Sequence, residues 1–274
     1  VVIAVIAMLM AILLPALARA RNQARAVACQ SNLRQWGQIL AMYTDENDGH
    51  LPYGSWPVAV WLLRGATRCE VDDPDAPTRQ QPAHTEGIKR CPMATENPPG
   101  GVGGIGAAAF DGSHWFVEVD VGATTFQSWE SLWPPPRFRA SYGFNEWLIQ
   151  GRFGPFHIYS VRSHCLNVDA LRGRAAIPAL LDCTRPCADP RAWERPPELG
   201  AAPRSAIEME QFCLDRHNGY VNGLFLDWSA RKVGLKELWT LKWHRHYDTA
   251  GPWTKAGGVR PEDWPQWMRR FKDY

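Results

Sequence analysis

Residues 1–18 read VVIAVIAMLMAILLPALA, without one polar side chain, and the chain then turns basic at Arg19, Arg21 and Arg25. As an α-helix this run rises about 27 Å, close to the ~30 Å hydrocarbon thickness of a bilayer. No face of it suits water, so lipid or other protein must surround it. The run opens without an initiator Met, and the apolar segment is expected to extend upstream. Downstream, Cys29, Leu33, Trp36, Leu40 and Tyr43 recur at spacings of four and three, one stripe of a helix, while Arg25, Arg34, Gln35, Gln38 and Asp45 fall largely off it. One helix is therefore expected across both halves. It should end within residues 45–49, DENDG, where Gly49 suits a left-handed cap. A helix of about 45 residues spans ~68 Å, too long for one small domain. The implied shape is a stalk, 1–49, carrying a head over 50–235 and a Trp-rich arm over 236–274.

Three roles compete for the apolar run. A secretory signal would end at a small-residue cleavage site, whereas this run flows into a continuing helical pattern. A simple membrane anchor satisfies hydropathy alone. The third role is a subunit whose apolar helix leaves the membrane to form the core of a polymer.

The stretch VVIAVIAMLMAILLPALARARNQARAVACQSNLRQWGQILAMYTDENDGHLP resembles the start of type IV pilin-like proteins and type II secretion pseudopilins. More narrowly, it looks like the prepilin-type proteins with an H-X9-DG motif, abundant in planctomycete-like bacteria. SYGFNEWLI, PALLDC and LKELWTLKWHRHYDT are also similar to this family, in patches over most of the chain. The resemblance implies a basic leader cut by a prepilin peptidase, a methylated amino terminus and an acidic residue that guides docking, all upstream of Val1. Pro15 matches the family's helix-kinking proline; it removes one backbone donor, and a melted or bent stretch is expected at residues 11–15. Counted alone, the arginines after the span would place the head in the cytoplasm. The resemblance places it outside: an inner-membrane precursor that enters an extracellular, cell-surface filament, a helical homo-oligomer built by pilus or secretion machinery. Val1, Val2, Ile3, Val5, Ile6, Met8, Leu9, Ile12, Leu13, Leu14, Pro15 and Leu17 would form its core.

His217 and Asp227, with nine residues between them in RHNGYVNGLFLDW, look like the family's H-X9-D element, but Trp228 stands where the family has Gly. That departure argues against a tight glycine turn and for an added aromatic contact. The His–Asp pair is read as a strand-stitching hydrogen bond, because no nucleophile is visible nearby.

Seven cysteines occur. Cys29, on the apolar stripe, is expected to be a buried thiol. Cys69, Cys91, Cys165, Cys183, Cys187 and Cys213 are an even set that suits disulfides in an oxidising compartment. Their connectivity stays open; Cys69 with Cys91, and the other four among themselves, is the expected arrangement. The rival is metal binding by Cys183-x3-Cys187 and Cys213-x3-His217, which lacks the usual CxxC knuckles.

Residues 70–115 are rich in Pro, Asp and Gly. Gly101, Gly103 and Gly106 satisfy G-x-G-x-x-G formally, but no strand precedes them and no βαβ unit follows, so a surface loop is expected. Strands are expected at 114–122, 141–149, 175–182 and around 220–235, with hairpin turns at Asn218-Gly219 and Trp228-Ser229. In the first, Trp115, Val117 and Val119 alternate with Phe116, Glu118 and Asp120. An antiparallel sheet leaning on the second half of the helix would bury its stripe, so the fold class is α+β.

The net charge of +2 gives no electrostatic case for a dedicated nucleic-acid binder, despite Arg269, Arg270 and Lys272. Fourteen tryptophans, crowded towards the end, suit subunit packing or, alternatively, a polysaccharide-binding platform on a tethered head. A low-abundance pseudopilin of a type II secretion system is the other alternative. No HExxH, GxSxG or P-loop pattern occurs, and no enzymatic role, catalytic residue or cofactor is assigned. Acidic loops at Asp72, Asp73 and Asp75 or at 45–48 suit calcium, but solvated turns explain them equally and no calcium site is assigned.

Overall fold

The computed structural model describes residues 2–51, 63, 85–95, 104–105, 119–120, 124–131, 138–148, 167–198 and 207–274. A single helix, α1, runs from Val2 to Glu46 and carries Pro15 inside it without interruption. The melted stretch expected at residues 11–15 is not formed, since proline removes only one ladder hydrogen bond and the flanking turns retain theirs. The helix ends as its sequence requires. Gly49 donates to the Thr44 carbonyl at 2.8 Å, and Asp48 (φ 52°) and Gly49 (φ 77°) take left-handed conformations that close the last turn.

The strands are β1 Gly104–Ile105, β2 Val119–Asp120, β3 Trp129–Ser131, β4 Phe138–Ala140, β5 Tyr142–Asn145, β6 Pro178–Asp182, β7 Cys187–Ala188, β8 Tyr220–Phe225 and β9 Ala230–Gly234. They form two sheets, β1-β2-β3-β4 and β7-β5-β6-β8-β9. The first sheet is antiparallel throughout. The second is mixed, because β7 runs parallel to β5. The class is α+β. Of the strands expected at 141–149, 175–182 and 220–235, β5, β6 and the β8–β9 hairpin are present, while Glu146–Leu148 and Arg174–Ala176 are 3-10 turns. Of that expected at 114–122 only β2 is described, and β1 lies in the stretch read as loop; Gly101, Gly103, Gly106 and residues 114–118 lie outside the described residues.

The second half of α1 lies on β8 and β9. Cys29, Leu33, Trp36 and Leu40 are buried in one cluster with Tyr142, Leu180 and Leu224, and Tyr43 is half-buried at its margin. Gly37 allows the close approach: a Cβ there would stand 3.0 Å from Leu224 Cδ1 and 3.1 Å from the Trp228 carbonyl oxygen. The Trp36 indole N–H donates to the Ile88 carbonyl at 3.0 Å, holding segment 85–95 against the helix.

Residues 236–274 fold back onto the far face of the sheet. Leu238, Trp239, Trp243, Trp264 and Met268 share a second buried cluster with Val221, Phe225 and Val233. Lys236, fully buried at its side chain, pairs with Asp273 at 2.6 Å. Of the ten described tryptophans only Trp193 is exposed. The reading of these residues as subunit contacts is thus corrected: in a domain with short strands and long connections, their large apolar area is what fills the interior.

Candidate functional site

Two features stand apart from ordinary packing. The first is the amino-terminal half of α1. Its most apolar eighteen-residue window has none of its residues buried, and it is long and apolar enough to cross a membrane. Val2, Ile3, Ile6, Met8, Leu9, Ile12, Leu13, Leu14 and Leu17 are all exposed, and so is Pro15. Val1 and the side chain of Val5 lie outside the described residues. Among the described residues the first buried position is Ala26, a boundary that coincides with the end of the basic stretch.

The second feature is a polar cluster sealed between helix and sheet. Cys29 comes from α1, Cys91 from segment 85–95, Asp182 from the end of β6, and Arg216 and His217 from the turn before β8. One ligand atom from each of Cys29, Cys91, Asp182 and His217 lies within 4.8 Å of the other three. His217 Nε2 is 3.1 Å from Asp182 Oδ2 and 3.3 Å from Cys91 Sγ, and Cys29 Sγ is 3.8 Å from both Asp182 oxygens. Around them, Tyr142 donates its hydroxyl to Cys29 Sγ at 3.2 Å and the Asn222 backbone N–H donates to Asp182 Oδ2 at 2.9 Å. Arg216 donates to Asp182 Oδ1 at 3.0 Å and to the carbonyls of Thr125, Ser141 and Gln127. The side chains of Asp182, Arg216 and His217 have no solvent exposure.

Electrostatics in the cluster are set by burial against pairing. Burial alone would raise Asp182, but the charge and hydrogen bond of His217, the Arg216 guanidinium and the Asn222 N–H outweigh it, so the carboxyl stays well below the usual carboxylate range. Burial would lower His217, and Asp182 lifts it to about 9. Burial, Cys29 and the Asp182 charge push the Cys91 thiol well above its ordinary value. Cys91 Sγ and Asp182 Oδ2 face the same imidazole nitrogen, while Nδ1 is buried without a partner among the described residues. A nucleophile–histidine–acid relay needs the two groups on opposite nitrogens, and an activated cysteine needs a lowered pKa. The arrangement meets neither condition.

Several expectations are corrected here. His217 takes Asp182 as its partner, not Asp227; Asp227 is exposed and accepts from the N–H and hydroxyl of Ser229 at 3.0 and 2.7 Å, capping the β8–β9 turn. Between them β8 runs its full length away from His217. The tight turn survives the loss of glycine, since Trp228 itself adopts φ 64° and donates its backbone N–H to the Phe225 carbonyl at 2.9 Å. Cys29, Cys91, Cys183, Cys187 and Cys213 are free, buried thiols. Cys183 fills the space over Gly143 in β5, where an added Cβ would meet its Sγ at 2.7 Å, and Cys187 Sγ lies 3.5 Å from Glu146 Oε2, so each thiol faces a partner other than cysteine. Cys69 and Cys165, and the acidic positions Asp72, Asp73 and Asp75, lie outside the described residues.

Sequence reasoning named His217, Cys29 and Cys91 but assigned them to separate roles, and it missed Asp182 and Arg216 as functional. A signal for Asp182 existed: it is the one charged residue closing an otherwise apolar strand, PALLD. Nothing in the residues around Arg216 distinguishes it from a surface arginine.

No family model, no curated protein and no solved structure matches this chain.

Proposed function

We propose that the chain is a pilin-like structural subunit that polymerises through the apolar half of α1 into an extracellular, type IV pilus-like filament. The observation that carries this reading is the division of one continuous helix. Its second half is bound into the head, and its first half, apolar on every face, has no buried position among the described residues. Such a surface is stable only in lipid or among other apolar helices. Leaving a bilayer loses nothing when neighbouring copies replace the lipid, and side-chain packing then holds the bundle. A rigid head fixed at one end of the stalk makes each contact heterologous, which generates a helical array that does not close. The resemblance of residues 1–52 to prepilin-type proteins agrees with this geometry and implies passage through the inner membrane and a prepilin peptidase. Six of the ten described tryptophans are buried and only Trp193 is exposed, which supports a packing role for them over a polysaccharide-binding platform.

The test is an Ile6→Asp substitution in the exposed half. Filaments sheared from cells are expected to lose the variant while the head keeps its near-ultraviolet circular dichroism. Filament yield equal to the parent chain overturns the polymer reading, and retention of the parent chain in the membrane fraction without filaments points to an anchor.

A further inference from the structure

We infer that Cys29, Cys91, Asp182 and His217 bind one zinc(II) ion that clamps the stalk helix to the head. Two thiols, an imidazole and a carboxylate are the donor types zinc takes in proteins, at about 2.0–2.3 Å from the metal. A tetrahedron with bonds of that length has edges of about 3.3–3.8 Å. The contacts of 3.1, 3.3 and 3.8 Å around the cluster fall on or beside that range, and all four donors lie within 4.8 Å of one another. Thiolates and imidazole favour zinc over the hard cations calcium and magnesium, which prefer an all-oxygen shell.

The surroundings are those of a held ligand set. Asp182 offers Oδ2 to the cluster while Oδ1 is fixed by Arg216, whose guanidinium is itself held by three backbone carbonyls. Second-shell bonds of this kind orient a ligating carboxylate. Two thiolates and a carboxylate against zinc(II) leave one negative charge, and the buried Arg216 neutralises it. Four protein ligands complete the coordination and all are buried, so the site is closed and structural, with no position for substrate. Its ligands come from α1, segment 85–95, β6 and the turn before β8, so one ion would tie together parts of the chain that local structure leaves separate. This inference is independent of whether the chain polymerises.

The experiment uses the full chain, purified in detergent under reducing conditions and stripped of metal. Titration with cobalt(II) is expected to saturate near one equivalent, with sulfur-to-cobalt charge-transfer absorption and the d–d bands of a tetrahedral site. Zinc should displace the cobalt and raise Tm. Cys91→Ser should weaken binding at least about tenfold and diminish the charge-transfer band, and Cys213→Ser, in the other core cluster, should change neither. Should Cys91→Ser fail to fold, the spectrum of the parent chain still reports thiolate ligation by itself. A folded, reduced parent chain that takes up no cobalt, or takes it up without the charge-transfer band, overturns the inference. So does a Cys29–Cys91 disulfide found by mass mapping of protein prepared in zinc without reductant.

Discussion

Trp228 shows at single-residue scale how this chain departs from its own local preferences. An L-residue in the left-handed region costs about 1–2 kcal/mol, yet Trp228 holds φ 64° at the β8–β9 turn because its side chain packs between two core clusters. Trp228→Gly is therefore expected to be more stable than Trp228→Ala by about 1 kcal/mol in urea unfolding, although glycine is ordinarily the costlier residue in a chain. Equal stabilities would mean that the turn is not left-handed. Arg216 has Asp182 as its buried ion-pair partner; Arg216→Met leaves that carboxylate short of its counter-charge and should cost about 3–5 kcal/mol. Glu194 behaves in the opposite sense to a paired carboxylate. Burial raises it to about 7 despite backbone N–H donors from Met209 and Arg191. Between its ordinary value of 4.5 and about 7 the folded state keeps a proton that the unfolded chain has released, so stability falls as pH rises through that window. The parent chain should lose up to about 3 kcal/mol more than Glu194→Gln between those limits, read from urea midpoints at the two ends.

Among the elements, α1 and the carboxy-terminal segment do complementary work on the two faces of the five-stranded sheet. The stripe on α1 was legible in its spacing of four and three, and so were the cap at Gly49 and the β8–β9 hairpin, because each depends on residues within about one turn or strand of one another. The carboxy-terminal segment was not legible. Its Pro and Gly content with anchoring Trp and Phe suggests an arm lying along the head or a neighbour, whereas short 3-10 turns at Leu235–Thr240, Pro261–Asp263 and Gln266–Met268 deliver tryptophans into the core. Trp239 and Trp264 meet edge to face at 5.4 Å. Trp264→Ala should cost about 3–5 kcal/mol and broaden the thermal transition; a change below about 1 kcal/mol in differential scanning calorimetry would show that this segment is peripheral to stability.

The whole molecule is a head with apolar clusters on both faces of a sheet and one long helix whose most apolar window has no residue buried among the described residues. Because the first buried residue of α1 among those described is Ala26, a chain beginning at Asn22 should remain folded and be monodisperse in water without detergent. Analytical ultracentrifugation with near-ultraviolet circular dichroism checks this, and an aggregated or molten product would mean that the apolar half supports the head. By itself the sequence determined the stalk, the α+β class and the stripe that docks the helix, since hydrophobic period and turn chemistry are properties of neighbouring residues. Only the tertiary structure decided which partners His217, Cys29 and Cys91 have. Cys29 and Asp182 are 153 positions apart and Cys91 and His217 are 126; contacts over such distances follow from how helix, loop and sheet close on one another. The same closure left Cys91, Cys183, Cys187 and Cys213, expected as bridges, as buried thiols. A pattern in the chain can state which residues want to be buried, but the shape of the interior chooses what they meet there.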